Sequence, residues 1–200
     1  MICLGSLKLR THRHRHPYPT PHPPHAPRVC SIYRSYRRHL PNLIVGFDVE
    51  WRPSFQRGVQ NRIAILQLCV GQRCLIFQLA HADAIPRELR DFLADPRFTF
   101  VGVRVEQYSR KLLEHHGLRV GSVQDLRSMA VDYFEDKAVK RFGLKDLAYL
   151  VLNVNVEKPR RIATGAWDAA VLTCAQVKYA FLDAYLSFQM AVKMISDERF

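Results

Sequence analysis

The sequence predicts one α/β domain built on a mixed five-stranded sheet that is flanked by helices. Two apolar segments of strand length, residues 63–70 and 73–79, are separated only by Gly71-Gln72, which indicates an antiparallel hairpin. Farther along the chain, strand and helix patterns alternate, and this alternation is typical of parallel strands. A chain of 200 residues, 48% of them apolar, is long enough for one domain with a sizeable core.

The elements follow one another from a first strand to a long last helix, and the domain is predicted over residues 43–195. Gly117 ends the second helix, and Thr173 with Gln176 makes a capping box for the last one. The expected strands are 43–51, 63–70, 73–79, 98–103 and 122–126; the expected helices are 86–94, 109–116, most of 127–152 and the segment after 173; loops are expected over 54–61 and 153–166.

The basic charge is concentrated before the predicted domain. The chain carries a formal net charge of +12, yet no Asp or Glu precedes Asp48, and residues 1–40 hold eight Lys or Arg and six His. This His- and Pro-rich segment cannot pack a core, so we expect a disordered basic leader. Three roles stay open for the leader: a solvated tail, an organelle transit peptide, or metal or nucleic-acid binding by its His and Arg residues.

The cysteines favour an intracellular protein, in the nucleus or cytoplasm, with organelle targeting by the leader as the alternative. There are five cysteines, an odd number, and no C-x-x-C pair or zinc spacing occurs. Cys69 and Cys74 flank the hairpin turn and could face each other, but free buried thiols are expected. The longest apolar runs are of strand length, so neither a transmembrane helix nor a membrane partner is predicted.

Two carboxylates end the first strand, in the sequence Leu-Ile-Val-Gly-Phe-Asp-Val-Glu-Trp. Because side chains alternate along a strand, Asp48 and Glu50 emerge on the same face. Two neighbouring acids repel each other unless a cation lies between them, and Mg²⁺ and Mn²⁺ favour such oxygen ligands. The alternative is that Asp48 begins a turn and Glu50 is solvated, since Arg52-Pro53 follows the strand.

The last helix carries a third acid in apolar surroundings. Tyr179 and Asp183 are four residues apart and therefore share one face, apart from the apolar stripe of the helix. A lone acid among apolar residues is costly to bury without a partner. If the first strand is central in the sheet, Asp183 meets the carboxylate pair.

Seven segments of the chain, taken together and in order, resemble one known family. The segments are 45–53, 64–71, 100–103, 125–127, 143–148, 167–168 and 176–184. Over roughly residues 43–192 the chain resembles the 3′–5′ exonuclease domain of the DEDD superfamily, which has a ribonuclease H-like fold. More narrowly, it is similar to the Werner-syndrome-exonuclease-like proteins of plants, and the Tyr-x-x-x-Asp ending places it in the tyrosine-bearing subgroup.

The resemblance implies hydrolysis of phosphodiesters from the 3′ end by a two-metal mechanism that uses Mg²⁺ or Mn²⁺. Asp48 would bridge both ions, Glu50 and Asp183 would complete the first site, and Tyr179 would orient the attacking water. The implied partner is nucleic acid with single-stranded or 3′-recessed ends. Whether a helicase or repair protein also binds stays open.

The chain departs from the family pattern at the fourth acid. Tyr108 stands at the position of that aspartate, and Arg104 stands where family members usually have glycine. A phenol is a poor ligand for a hard cation. Glu106 would need a backbone adjustment to take the place of the aspartate. We therefore expect an exonuclease weakened on the order of a thousandfold. The alternative is a catalytically inactive module on the same fold that binds nucleic acid or a protein partner.

Contacts to the substrate are predicted from aromatic and basic side chains. Trp51 could stack on a terminal base, or it could cap the strand as a core residue. Arg62 and Lys145, with the basic residues of the loop at 158–161, could bind phosphates or remain solvated surface charges. A doubly wound nucleotide-binding domain is disfavoured, since the chain has neither a G-x-G-x-x-G motif nor a P-loop.

Overall fold

The computed structural model describes residues 2–3 and 43–197, and it contains the predicted elements in the predicted order. The rest of the predicted leader lies outside the described residues. The strands are β1 (Ile2–Cys3), β2 (Leu43–Glu50), β3 (Ile65–Val70), β4 (Arg73–Gln78), β5 (Phe98–Gly102) and β6 (Ser122–Asp125). The helices are α1 (Arg87–Ala94), α2 (Val105–His116), α3 (Leu126–Phe134), α4 (Leu144–Leu152), α5 (Arg160–Ala163) and α6 (Cys174–Asp197), with 3₁₀ turns at Leu79–His81 and Lys137–Arg141.

The sheet is mixed, as predicted, and has the strand order β1-β4-β3-β2-β5-β6. The β2, β3 and β4 strands form an antiparallel meander, whereas β2 pairs with β5, and β5 with β6, in parallel. The two-residue strand β1 adds an antiparallel edge beside β4, which was not predicted. The β2 strand, which carries the two acids, lies between β3 and β5 and is therefore an interior strand of the sheet.

Helices cover both faces of the sheet, and successive side chains of β2 point alternately to one face and to the other. Val45, Phe47 and Val49 pack with α1 and α2 in one core cluster. The other face of β2 carries Asp48 and Glu50, and α6 packs across that face. One layer of the domain is therefore purely apolar along β2, while the other layer receives both carboxylates.

Gly46 brings α6 into direct contact with the sheet. A Cβ atom at this position would collide with the Ala184 carbonyl oxygen and come within 2.8 Å of the Phe188 backbone nitrogen. A hydrogen atom is therefore the only side chain that fits between strand and helix here. This contact involves Ala184, the neighbour of Asp183 in α6, and Gly46, two residues before Asp48 in β2. It therefore fixes the position of the helix relative to the strand close to both acids.

The second and last helices begin as local chemistry requires. Helix α2 starts at Val105, four residues before the predicted 109. The prediction missed the first turn because that turn is polar and has no apolar period, although Val105 itself is fully buried. The capping box that begins α6 is present: the Thr173 hydroxyl accepts from the Gln176 N–H at 3.2 Å, and the Thr173 N–H donates to Gln176 Oε1 at 3.0 Å. Helix α5 is a short turn inside the predicted loop.

The expectation of free thiols at the hairpin was wrong. Cys69 and Cys74 lie directly opposite each other in the β3–β4 register, with Cα atoms 4.1 Å apart, and they form a disulfide. Antiparallel pairing across the two-residue turn places the two residues opposite each other, as the predicted hairpin allowed. In the part of the chain that the structure describes, no helix is long and apolar enough to cross a membrane.

Candidate active site

Three carboxylates meet where β2 ends beneath α6. Asp48 and Glu50 come from the strand and Asp183 from the helix, and one oxygen from each lies within 4.8 Å of the others. Asp48 Oδ1 also accepts a hydrogen bond of 2.8 Å from the Val49 N–H, which holds the carboxylate at the strand end. The juxtaposition predicted from the two separate patterns is therefore present.

The electrostatics of this trio favour a cation. Burial, together with the neighbouring Asp183 carboxylate, raises the pKa of Asp48 to about 8. Burial, together with the Asp48 and Asp183 carboxylates, raises the pKa of Glu50 well above its usual range. Burial also raises the pKa of Asp183. Three acids that resist ionisation in each other's presence gain most from a positive charge between them.

Lys158 supplies one such charge. Its Nζ lies 2.8 Å from both Oδ1 and Oδ2 of Asp183 and donates its hydrogen bond to Oδ2. The same Nζ lies 4.8 Å from the centre of the Tyr179 ring. Burial lowers the pKa of Lys158, but the Asp183 carboxylate outweighs burial and the net shift is upward. The sequence had indicated a phosphate contact for this lysine rather than a contact to an acid.

Tyr179 stands one helical turn before Asp183, as its spacing predicts. Its ring packs against the fully buried Trp167, with ring centroids 5.8 Å apart, and the Trp167 indole donates to the Ala163 carbonyl at 3.1 Å. Burial raises the pKa of Tyr179 to about 12, so the hydroxyl is protonated at neutral pH. The phenol is therefore a positioned donor beside the acids.

Tyr108, which stands where the resemblance implies a fourth acid, lies on the first turns of α2. Burial, with the charges of Asp48 and Glu50, raises the pKa of Tyr108, so the phenol stays neutral. Glu106 is exposed and does not line the cavity at the acids. Of the described residues that line this cavity, none replaces the missing carboxylate.

Trp51 is held by packing at the edge of the site. Its ring meets Tyr108 edge to face at 6.0 Å, and Lys111 Nζ lies over the indole, 4.0 Å from its centre. Trp51 also borders the main apolar cluster beneath β2. These contacts favour the interpretation of Trp51 as a core residue that caps the strand.

Asp125 holds two residues that line the site, Arg104 and Arg127. This buried carboxylate makes a two-point contact with Arg127, at 2.9 and 2.6 Å, and accepts the Arg104 backbone N–H at 2.8 Å. Burial opposes ionisation of Asp125, but its bonds to Arg127 lower its pKa overall. Arg104 itself has a φ of 60°, in the left-handed region, which explains why glycine suits this position. Arginine there costs roughly 1–2 kcal/mol of backbone strain.

The acids open into a cavity of about 250 Å³. Trp51 and the basic side chains Arg104, Arg127, Arg141 and Lys158 line this cavity together with the three acids. Arg62 instead lines a separate cavity of about 590 Å³, where it contacts the His115 carbonyl, and Lys145 lies exposed on α4. Of the predicted substrate contacts, the structure thus brings Trp51 and Lys158 to the acids, but neither Arg62 nor Lys145.

Two residues at the site were missed in the sequence. Arg141 lies just before the Gly-Leu-Lys-Asp motif, on a turn that no periodicity marks. Gln67 pairs with Asp48 across the β2–β3 register, is fully buried, and has no hydrogen-bond partner for its amide oxygen or nitrogen among the described residues. A single glutamine inside an apolar strand was the signal that could have identified it.

The donors present suit a hard divalent cation. All three are carboxylates, and one oxygen from each lies within 4.8 Å of the others. Carboxylate oxygens are the ligands that hard divalent cations prefer, and the single ammonium of Lys158 contacts only Asp183 among the three acids. The residues therefore fit Mg²⁺ or Mn²⁺ as the group that the site would hold.

Comparison with known proteins agrees with this geometry. A family model described as 3′–5′ exonuclease matches residues 29–197. A 3′–5′ exonuclease of Arabidopsis thaliana is 33% identical over 155 residues, which are 76% of this chain and 52% of that protein. The mouse bifunctional 3′–5′ exonuclease/ATP-dependent helicase WRN is 31% identical over 143 residues, 71% of this chain and 10% of that protein. The chain thus spans about half the length of the Arabidopsis relative.

The fold has a known counterpart as well. Escherichia coli RNase D superposes with a TM-score of 0.69 over 84% of this chain and 42% of that chain, at 17% identity. This likeness confirms the ribonuclease H-like fold. Since the family model extends over most of the chain, and the plant relative shares a third of the aligned residues, the chain belongs to the 3′–5′ exonuclease family.

Proposed function

We propose that this chain is a divalent-metal-dependent 3′–5′ exonuclease whose activity is weakened by Tyr108. The observation that carries the proposal is the meeting of Asp48, Glu50 and Asp183 within 4.8 Å beside Tyr179, in a member of the 3′–5′ exonuclease family. The proposed substrate is nucleic acid with a single-stranded or 3′-recessed end.

Each residue of the site has a distinct task in this proposal. Asp48, Glu50 and Asp183 would hold Mg²⁺ or Mn²⁺. When bound there, such an ion would supply Lewis-acid chemistry for phosphodiester hydrolysis. Tyr179, protonated and fixed by Trp167, donates a hydrogen bond that orients the attacking water.

The weakening follows from the charge that Tyr108 does not supply. The resemblance implies a second metal held by a fourth acid, and a neutral phenol is present there instead. Loss of a dedicated metal ligand costs several kcal/mol of transition-state stabilisation, on the order of a thousandfold in rate. A slow enzyme is therefore expected.

The second candidate is an inactive module that binds nucleic-acid ends or a protein partner. Tyr108 again favours it, together with Arg104 and Arg141, which line the cavity and could bind phosphates. Because the mouse relative joins an exonuclease to an ATP-dependent helicase, a helicase is the protein partner that we would test first.

A cleavage assay distinguishes the two candidates. Purified protein is incubated with a 5′-labelled, 3′-recessed DNA duplex, or the equivalent RNA, in Mn²⁺. The proposal expects a slow 3′–5′ ladder that Asp48→Ala or EDTA abolishes. End binding without any ladder would instead support the inactive module, and a ladder that Asp48→Ala does not reduce would point to a contaminating nuclease.

A further inference from the structure

Lys158 is bound more firmly than a surface lysine. Its ammonium is bonded to Asp183, whose side chain is only 2% exposed, and the Lys158 side chain itself is 22% exposed. The Tyr179 ring covers another side of the ammonium at 4.8 Å, so two residues one turn apart on α6 form its pocket. The contact is therefore part of the built site.

The approach of Lys158 to α6 is also restrained by its own segment. The buried Val156 anchors the chain two residues earlier, and Pro159 begins the turn of α5 directly afterwards. A residue before proline is confined to extended backbone. The position of the lysine relative to Asp183 is thus set by the backbone as well as by charge.

The formal charges at the site match one divalent cation. Asp48, Glu50 and Asp183 bring three negative charges when ionised, and Lys158 neutralises one of them. Tyr108 adds none, and Asp125 is paired with Arg127. The other arginines of the cavity lining, Arg104 and Arg141, form no ion pair with the three acids among the described residues. Two charges of the trio therefore remain without a contacting cation, which is the charge that a single Mg²⁺ or Mn²⁺ would neutralise.

We propose that Lys158 is a resident cation of the metal site, so that this chain binds one divalent ion beside one ammonium group. The inference rests on the proposed function and goes beyond it, because it assigns to a lysine the positive charge that a second metal would provide. The lysine shares Asp183 with the ion and so weakens the binding of that ion.

Metal binding, rather than activity, tests the inference. Mn²⁺ is titrated into metal-free wild type and into Lys158→Met, with free Mn²⁺ followed by its electron paramagnetic resonance signal. Lys193→Met is the matched control, since Lys193 pairs with Asp197 at the surface. Circular dichroism in EDTA establishes that each variant is folded.

We expect one Mn²⁺ per wild-type chain, and at least tenfold tighter binding, or a second ion, in Lys158→Met. Two ions in wild type, or identical titrations of wild type and Lys158→Met, would overturn the inference while leaving a metal-dependent enzyme intact. Binding by Lys158→Met alone would overturn the stoichiometry, because the lysine would then exclude the metal. If neither protein bound Mn²⁺, the proposed function itself would fail.

Discussion

The rings of Trp51 and Tyr108 meet edge to face, with their centroids 6.0 Å apart, beside the three acids of the site. The phenol that replaces the expected carboxylate is therefore also a packing residue of the main core cluster. Restoring an acid here trades aromatic packing against metal binding.

Tyr108→Asp is expected to accelerate Mn²⁺-dependent 3′-end degradation by roughly ten- to a thousandfold, because it adds a fourth carboxylate to the site. The same change should lower the free energy of unfolding by about 1–3 kcal/mol, since the aromatic pair and its buried area are lost. Turnover and urea denaturation measure the two effects. Tyr108→Phe keeps the ring and should leave activity near wild type; equal activity of the Asp and Phe variants would contradict the prediction.

Gln67→Met is expected to stabilise the protein by about 1 kcal/mol, because it removes a fully buried amide that has no hydrogen-bond partner among the described residues. The same variant should be less active, since Gln67 lies directly across the strand pair from Asp48. Thermal melts and the cleavage assay are run together. Gln78→Met is the control, because the Gln78 amide donates to the Ala169 carbonyl and its loss should destabilise.

Asp125→Asn is expected to cost about 2 kcal/mol at pH 7, since it weakens charged hydrogen bonds to Arg127 and Arg104. The folded-state pKa of Asp125 lies below its ordinary value of 3.8. Its contribution is therefore complete above pH 3.8 and is lost as the pH falls through the lower folded value. Denaturation curves of the two proteins should stay apart at pH 4 and converge only below the folded-state pKa, which lies under 3.8; a gap that persists at still lower pH would show that the effect is not electrostatic.

Arg141→Gln is expected to weaken binding of single-stranded nucleic acid and to reduce the slope of log affinity against log salt by about 0.7, the loss of one phosphate contact. Fluorescence anisotropy at several salt concentrations, in EDTA to prevent cleavage, measures both quantities. Arg87→Gln removes an arginine that pairs with Asp91 on α1 and should leave the slope unchanged. Equal slopes for all three proteins would remove Arg141 from the binding surface.

Gly46→Ala is expected to destabilise the domain by about 3 kcal/mol, because the new methyl group would collide with the backbone of α6. The displaced helix should also separate Asp183 from Asp48 and weaken Mn²⁺ binding. Gly143→Ala is the control, since a Cβ there meets only the Asp146 carboxylate at 3.7 Å. A fully stable Gly46→Ala variant with unchanged metal affinity would show that α6 is not fixed by this contact.

The sequence was most informative where periodicity and chemistry coincide. Alternation along β2 placed Asp48 and Glu50 on one face, and the helical spacing of Tyr179 and Asp183 placed them together on α6. Both patterns are local, so they can be recognised without knowledge of the tertiary structure. The family resemblance then implied that the end of this strand and this helix meet at one metal site.

The contacts that the sequence did not reveal depend on long-range geometry. The lysine at position 158 reads as one of several surface charges, and only the docking of its loop on α6 brings it to Asp183. The same holds for Arg141, which lines the cavity at the acids, and for Arg62, whose guanidinium donates to the His115 carbonyl and lines a separate cavity. Side-chain charge indicates what a residue can bind, whereas tertiary packing decides which partner it meets.

The acids that meet at the site come from opposite ends of the sequence of the domain, and this order has a consequence during synthesis. Asp48 and Glu50 leave the ribosome early, but Asp183 and Tyr179 belong to α6, the last helix of the domain. A nascent chain therefore carries only part of the acid cluster until nearly all of the domain has been translated. Any nuclease activity can begin only after that final helix docks, so chains that end before α6 would lack it.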